Sequence, residues 1–335
     1  MTAREASAPA IPTVPTRRSV AVIGEALVDR FLEAEVVGGA PFNVARSLAA
    51  FGVPTTMITR IGADDEAGHR VLDSARAFGL PGQAIQRDTQ RATGVVTVTE
   101  LDGDHRFHIH RDAAWDQLAY GPARAVLQRL RPQMVYFGTL AQRSPVSAGS
   151  IRRLLDEASA LRFLDLNLRD GQDNRELAQA SLERADWLKL NEPELRNLLV
   201  WFAPQIDAAA PLDSAAWRAG LLQLMQRFRL ARLIVTRGEQ GYAAYDAHAR
   251  CFARGPGLRL DRQVDSVGAG DAFAAAVIAG WAAGMAAGRA LAGANRYAAA
   301  ICGERGPLPQ DPEFFRLWRR NLGLCDPPPA CAAAA

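Results

Sequence analysis

The stretch DSVGAGDAF, Asp265–Phe273, sets two aspartates on either side of a run containing Gly-Ala-Gly and leads directly into DAFAAAVIAGWAAG, a strongly helical segment. Main chain this bare lets an anionic group come very close at Gly268, Ala269 and Gly270. The N–H groups of such a turn point out of a helix N-terminus, where the dipole also favours negative charge. Fixed donors of that kind stabilise the charge that gathers on a phosphoryl group in transfer. Asp271, in the first helical turn, is placed to accept the proton of an attacking hydroxyl. An aspartate in a first turn is also favourable by ~0.3–1 kcal/mol simply by opposing the dipole, so spacing alone leaves catalysis and plain helix stabilisation level. A dinucleotide-binding turn fits less well, because Phe273 stands where the third glycine of GxGxxG belongs and the preceding RLDRQVD is a poor buried strand.

Any phosphate here is held without a Walker A loop. Lys189 is the only lysine among 39 basic residues, and it stands in WLKLNE with no glycine before it. The net charge of +3 is too mild to point to nucleic acid, and small-molecule partners are expected. The four cysteines (Cys251, Cys302, Cys325, Cys331) lack CxxC or zinc-ligand spacing and read as reduced thiols. Residues 1–18 are rich in Pro, Ala and Thr without the apolar core of a signal peptide, and no run of 18 apolar residues follows. The expectation is a cytoplasmic protein with no membrane contact.

Around the opening motif, short apolar runs alternate with helical patterns. The runs are SVAVIG (19–24), TTMITRIG (55–62), QMVYFG (133–138), RFLDLN (162–167), DWLKLN (186–191) and ARLIVTRG (231–238). PFNVARSLAAFG, SAGSIRRLLDEASA and PELRNLLVWF lie between them with apolar residues at helix spacing. That alternation predicts a doubly wound, mostly parallel sheet covered by helices on both faces. TGVVTVTELDGDHRFHIHRDAAWD (93–116) instead alternates like a hairpin, and DRFLEAEVV (29–37) reads as another exposed strand; together they suggest a small lid or interface sheet. Polar or glycine residues stand where the runs end: Gly24 and then Asp29, Asn167 with Arg169, Asn191, and Thr236 with Gly238. Ligands of doubly wound sheets bind outside the carboxyl ends of the strands, so these residues are expected to line one cleft.

Two further motifs carry weaker signals. VGGAPFNVARSLAAFG (37–52) is a glycine-rich approach to a helix with Pro41 in its first turn; Gly38 and Gly39 permit close backbone approach, and Asn43 offers donor and acceptor to a polyol. LNEPEL (190–195) sets Asn191 and Glu194 three residues apart at a strand-to-helix junction, which suits magnesium held through water and equally suits a helix cap. His105, His108 and His110 have no third ligand at proper spacing and read as side chains of a clasp strand, with Phe107 and Trp115 as packing.

GGAPFNVA, NEPE and DSVGAGD, in that order, resemble the signatures of the ribokinase-like (PfkB) carbohydrate kinase family from about Val20 to Pro309, and GEALVDRF, DLNLRDG and RFHIHRDAAWD resemble its fructokinase branch. The resemblance implies a ribokinase-like α/β fold with a β-strand lid, ATP and Mg2+ as cofactors, and γ-phosphoryl transfer to a sugar hydroxymethyl, with fructose as the expected sugar, 2-keto-3-deoxygluconate as the nearest alternative, another sugar or a nucleoside of the family behind it, and a non-catalytic sugar-binding relative as the reading outside the enzymes. By position it makes Asp271 the catalytic base and Gly268, Ala269 and Gly270 the anion hole. It sets Asn191 and Glu194 at magnesium and phosphates, and Thr236, Gly238, Gly241 and Ser266 beside the nucleotide. Asp29, Gly39 and Asn43 would hold sugar hydroxyls, while Asn167, Arg111 and Arg169 would approach the sugar and the transferring phosphate. AAAICGERGPLP (298–309) resembles the family's closing element near adenine, often with a monovalent cation such as K+. Ser266 replaces the usual threonine, and Pro307 stands where alanine is common, removing an N–H. The implied organisation is a loose lead (1–18), a kinase domain (19–310) with lid strands from about 29–37 and 93–116, and a C-terminal helix with a low-complexity tail (311–335). Open lid edges further predict a homodimer.

Overall fold

The structure, a computed structural model, describes residues 18–32, 34–101, 104–169, 174–207, 210–212, 214–258, 266–304 and 306–324, with the side chains of 100–107 excepted. Residues 1–17, Asp265, the tail from Cys325, and the side chains of His105 and Phe107 therefore lie outside the described residues.

In chain order the strands are β1 (Val20–Ile23), β2 (Leu27–Arg30), β3 (Glu35–Gly38), β4 (Thr55–Gly62), β5 (Ile85–Asp88), β6 (Gly94–Leu101), β7 (Asp104–Ile109), β8 (Met134–Gly138), β9 (Leu161–Asp165), β10 (Trp187–Asn191), β11 (Arg232–Thr236), β12 (Tyr242–Asp246) and β13 (Cys251–Gly255). The helices are α1 (Ala40–Ala50), α2 (Glu66–Ala77), α3 (Tyr120–Leu130), α4 (Pro145–Glu157), α5 (Asn174–Leu182), α6 (Glu192–Phe202), α7 (Ala215–Phe228), α8 (Ala269–Ala282), α9 (Ala287–Cys302) and α10 (Pro312–Asn321).

Nine strands form one sheet in the order β13-β12-β11-β10-β9-β8-β1-β4-β5. It is parallel from β5 to β11, and β12 and β13 close that edge antiparallel. The central strands are apolar on both faces, as a strand covered on both sides must be. Val20, Val22, Met57, Tyr136 and Phe163 pack with Phe42, Leu48, Val277, Ile278, Tyr297 and Phe315 of α1, α8, α9 and α10. Ala21, Ile23, Ile58, Phe137 and Leu188 pack on the opposite face with Leu154, Leu182, Leu199 and Leu224 of α4–α7. The result is the doubly wound three-layer α/β architecture expected from the alternating runs. Helix α8 is apolar nearly all round, with ten of its residues buried, which fits a helix packed between the sheet, α1 and α9. Its small side chains allow close approach: a Cβ on Gly280 would come within 2.6 Å of Ala290 Cβ.

The second sheet has the order β3-β2-β6-β7, and its Leu27, Asp29 and Val96 line one cleft with residues that follow the strands of the first. Here the structure refines the reading of 29–37. The segment is two antiparallel strands, because Phe31 N–H donates to Ala34 O (2.8 Å) and turns the chain back. Periodicity also missed β5, β12 and β13; YAAYD and CFARG are short, part-polar segments whose pairing comes from the hairpin that Asp246 closes by accepting from His248 and Arg250 N–H. Among the described residues, no helix is long and apolar enough to cross a membrane.

Candidate active site

Between the two sheets, at the carboxyl ends of β1, β8, β9, β10 and β11, lies a cleft of about 1420 Å³. The parallel register brings the ends of these strands to one edge, so residues far apart in sequence share a wall: Glu25, Asn167, Arg169, Asn191 and Thr236.

Asp271 sits in the first turn of α8, half-buried and facing this cleft. The helix begins after Gly268, whose φ of 81° is left-handed and whose added Cβ would come within 2.6 Å of Pro307 O; only glycine fits there. The turn therefore runs bare into the helix, with its first N–H groups free of intrahelical partners. Burial pushes the Asp271 carboxyl up to about 6; the Asn43 hydrogen bond, Lys189 and Arg169 pull the other way, and Asp165 adds to the rise.

A hydrogen-bond relay fixes that carboxyl. Arg46 Nη2 donates to Asn43 Oδ1 (2.6 Å), and Asn43 Nδ2 donates to Asp271 Oδ2 (2.8 Å). Arg46 is itself 1% exposed, donates to Val37 O and Ser74 Oγ, and lies over the rings of Phe42 and Phe78. With its oxygen committed to an arginine, the Asn43 amide has one orientation, and that orientation aims a donor at Asp271. Below them Lys189 Nζ donates to both carboxylate oxygens of Asp165 (2.9 and 2.8 Å), and Tyr136 OH donates to the same group (3.2 Å). A Cβ on Gly270 would meet Lys189 Nζ at 3.3 Å, so this buried pair underlies the Gly-Ala-Gly turn.

Asn191 and Glu194 form a reciprocal cap on α6: Asn191 Oδ1 accepts from Glu194 N–H and Glu194 Oε2 accepts from Asn191 N–H, both at 2.8 Å. Glu194 Oε1 accepts from Leu168 N–H (2.7 Å), which ties α6 to the loop carrying Arg169. Burial raises the Glu194 carboxyl, and its two backbone donors oppose the rise. With each oxygen already held by an N–H, this carboxylate fits a magnesium ion through intervening water and does not fit one as a direct ligand.

The family model for pfkB family carbohydrate kinases matches residues 19–313. The chain belongs to this family. It is 30% identical over 279 residues to fructokinase-1 of Zea mays, covering 80% of this chain and 79% of the maize protein. The fold matches an apo candidate ribokinase II of Escherichia coli (TM-score 0.76, 22% identity, 90% of this chain and 99% of that one). It also matches a double mutant of the Vibrio cholerae fructokinase holding fructose, ADP and potassium (TM-score 0.71, 20% identity, 88% and 95%).

In this PfkB sugar kinase the cleft gathers Asp29, Gly39, Asn43, Arg111, Asn167, Arg169, Asn191, Glu194, Thr236, Gly268, Gly270 and Asp271. Four other expected residues stand outside its wall. Ala269 turns its N–H to Ser266 O (3.3 Å), and Ser266 itself is exposed. Gly238 is exposed on a short turn, while Gly241 (φ 88°) is buried against the backbone of Gly255–Gly257 and serves close packing of the hairpin. Gly39 (φ 100°) lines the cleft and is also a packing necessity, since a Cβ there would come within 2.8 Å of Glu25 O. His108 lines the cleft and stacks edge-on with His110 (4.9 Å between ring centroids).

Sequence reasoning missed Arg46, Asp165, Tyr136 and Glu25. Arg46 left a signal, an arginine in the apolar frame of PFNVARSLAAFG, and so did Lys189 as the only lysine, inside an otherwise apolar strand run. Glu25 stands two residues past β1 in GEALVD and left none that patterning would weigh.

Proposed function

We propose that this PfkB sugar kinase is a fructokinase, transferring the γ-phosphoryl group of ATP to the hydroxymethyl of fructose. The observation that carries the chemistry is the position of Asp271: a carboxyl oriented by Asn43 and Arg46, beside the bare N-terminus of α8, in a cleft also lined by Asp29 and Arg169. In this reading Asp271 takes the proton from the attacking hydroxyl. The N–H groups of the N-cap Gly268 and of Gly270 in the first turn, with the guanidinium of Arg169, face the transferring phosphoryl oxygens in this reading, where developing charge is stabilised by donors already in place. Gly270 keeps the turn bare above Lys189, whose Nζ a Cβ there would meet at 3.3 Å, while Gly268 supplies the left-handed turn against Pro307. Magnesium, held through water near Asn191 and Glu194, would neutralise phosphate charge. Thr236, at the end of β11, borders the nucleotide, with Ser266, Gly238 and Gly241 shaping its surroundings. Asp29, Gly39 and Asn43 receive the sugar, and the β2-β3-β6-β7 sheet, carrying Arg111 just beyond β7, closes over it and excludes water.

Fructose is favoured by the likeness to the maize fructokinase and by the fructose held in the Vibrio structure of the same fold. A 2-keto-3-deoxygluconate kinase is the second reading, because Arg111 and Arg169 also line the cleft and guanidinium groups pair with carboxylates. The potassium of the Vibrio structure supports a monovalent cation as a further ligand, which the resemblance of 298–309 to the family's closing element would set near adenine. The outer strands β3 and β7 each have one strand neighbour, which supports a homodimer through this sheet. ADP release by the purified protein with Mg-ATP, across fructose, 2-keto-3-deoxygluconate, ribose, tagatose and adenosine, tests the reading: fructose ahead sustains it, and a sugar acid ahead moves the substrate while keeping the mechanism.

A further inference from the structure

Glu25, two residues past β1, lines the cleft, yet it is 2% exposed and its Oε2 has no hydrogen-bond partner among the described residues. A buried carboxyl oxygen left without a partner is destabilising, and the rarity of such groups asks for a reason specific to the place. Slack packing is not that reason. A Cβ on Gly24 would run into Pro41, and one on Gly39 would come within 2.8 Å of Glu25 O, so two glycines press this backbone against the start of α1. Two arginines act on it: Arg169, whose own Nε is buried without a hydrogen-bond partner among the described residues and which makes no hydrogen bond to Glu25 Oε2, and Arg143, which is no partner in waiting. Arg143 is committed to Asp116 (2.9 and 2.8 Å) and His110 O, and its guanidinium lies over the Trp115 ring. Burial is the main influence on the Glu25 carboxyl and pushes it up to about 7, with its own backbone N–H, Arg169 and Arg143 lowering it and Asp271 raising it. A protonated carboxyl both donates and accepts, as an alcohol does.

We propose that Glu25 is a specificity-determining residue: its unpartnered carboxyl oxygen takes a hydroxyl of a neutral sugar and disfavours a substrate that carries a carboxylate there. The inference rests on the sugar-kinase reading above and narrows its substrate class to neutral polyols. Glu25, Asp29 and Asp271 are among eight carboxyls that line the cleft beside Arg111, Arg143, Arg152, Arg169 and Lys189, so discrimination rests on the local pairing at Glu25: a substrate carboxylate set there meets another acid, whereas a hydroxyl pairs with it. A site that hydrogen-bonds a substrate hydroxyl rejects analogues lacking it because its own polar group is then stranded.

The test compares wild type with Glu25→Ala, Glu25→Met and Glu25→Gln, measuring KM for fructose, 2-keto-3-deoxygluconate and ATP, and kcat. Methionine fills the space without polarity, so it reports on the hydrogen bond even where the alanine variant fails to fold. Ala and Met are expected to raise the fructose KM by ~10–100-fold, on the scale of one lost buried hydrogen bond. ATP KM should stay unchanged and kcat nearly so, with the preference for fructose over the sugar acid narrowed at least ~10-fold. Gln, which keeps a donor and an acceptor, should recover most of the affinity. Wild-type turnover of fructose with KM unmoved by Ala and Met overturns the inference alone, as does a loss that falls on ATP equally. A wild-type protein that phosphorylates no neutral sugar overturns the kinase reading and this inference with it.

Discussion

Replacing Asp271 by asparagine should make the protein almost inactive and, near neutral pH, more stable. Burial raises its carboxyl from 3.8 to about 6. A folded pKa above the unfolded one means that the group's contribution is intact below about pH 4 and is lost as pH rises through about 6, where the folded site must carry a charge it disfavours. About two pKa units at ~1.4 kcal/mol each set an upper bound of ~3 kcal/mol, and water in the open cleft reduces this to roughly 1–2 kcal/mol. Asparagine carries no charge, and its oxygen still accepts the Asn43 N–H that now reaches Asp271 at 2.8 Å. Asp271→Asn should therefore melt roughly 2–6 °C above wild type at about pH 8, with the gain shrinking below about pH 5. Loss of a general base should lower kcat by ~10²–10⁴-fold with sugar KM little changed. Coupled ADP release and thermal melts at the two pH values read both effects. Near-normal turnover would refute the assignment of the base, and a stability gain independent of pH would refute the buried-charge account.

Two further substitutions probe the support of the site. Lys189→Met should destabilise by ~3–5 kcal/mol, because it strands the Asp165 carboxylate in the core; the double change with Asp165→Asn should recover a large part of that loss in denaturant melts, and additive losses would count against the pair. Glu194→Ala removes acceptors for the N–H groups of Asn191 and Leu168, so it should lower the melting temperature and raise the magnesium needed for half-maximal rate several-fold; Glu194→Gln, which keeps an acceptor, should lose less stability, and a magnesium requirement unchanged in both would remove this residue from the metal's surroundings.

Much of this architecture was legible because burial on both faces writes itself into sequence. The six runs from SVAVIG to ARLIVTRG are strands of the main sheet, and the polar residues at their ends do meet in one cleft. What remained hidden has specific causes. β12 and β13 are short edge strands, paired by a turn that Asp246 organises, and their composition gives no long apolar run. The relay from Arg46 through Asn43 to Asp271 joins residues 228 positions apart at its last step, a contact that only the packing of α1 against α8 creates. Ala269 was expected to offer its N–H to an anion, but the left-handed Gly268 turns that group back to Ser266 O.

The treatment of acids in and under the cleft separates two uses of buried charge. Asp165, 2% exposed, is fully compensated by Lys189 on both oxygens and by Tyr136, and the group so formed lies beneath the Gly-Ala-Gly turn. Glu25, Asp29 and Asp271 are raised to about 7, 6 and 6, chiefly by burial. A fold that places its sole lysine against one carboxylate, while three neighbours form no ion pair among the described residues, compensates its buried acids unevenly. Asp165 reaches the same cleft from beneath, where its pairing with Lys189 supports the turn; the other three carboxyls reach it without a lysine partner. Desolvated acids with pKa values near neutrality suit groups that must trade hydrogen bonds or protons with a hydroxyl. The destabilisation they carry should then be relieved by the sugar itself, so neutral sugar should raise the melting temperature in the absence of ATP, and a melt unmoved by saturating sugar would show that these carboxyls do not meet it.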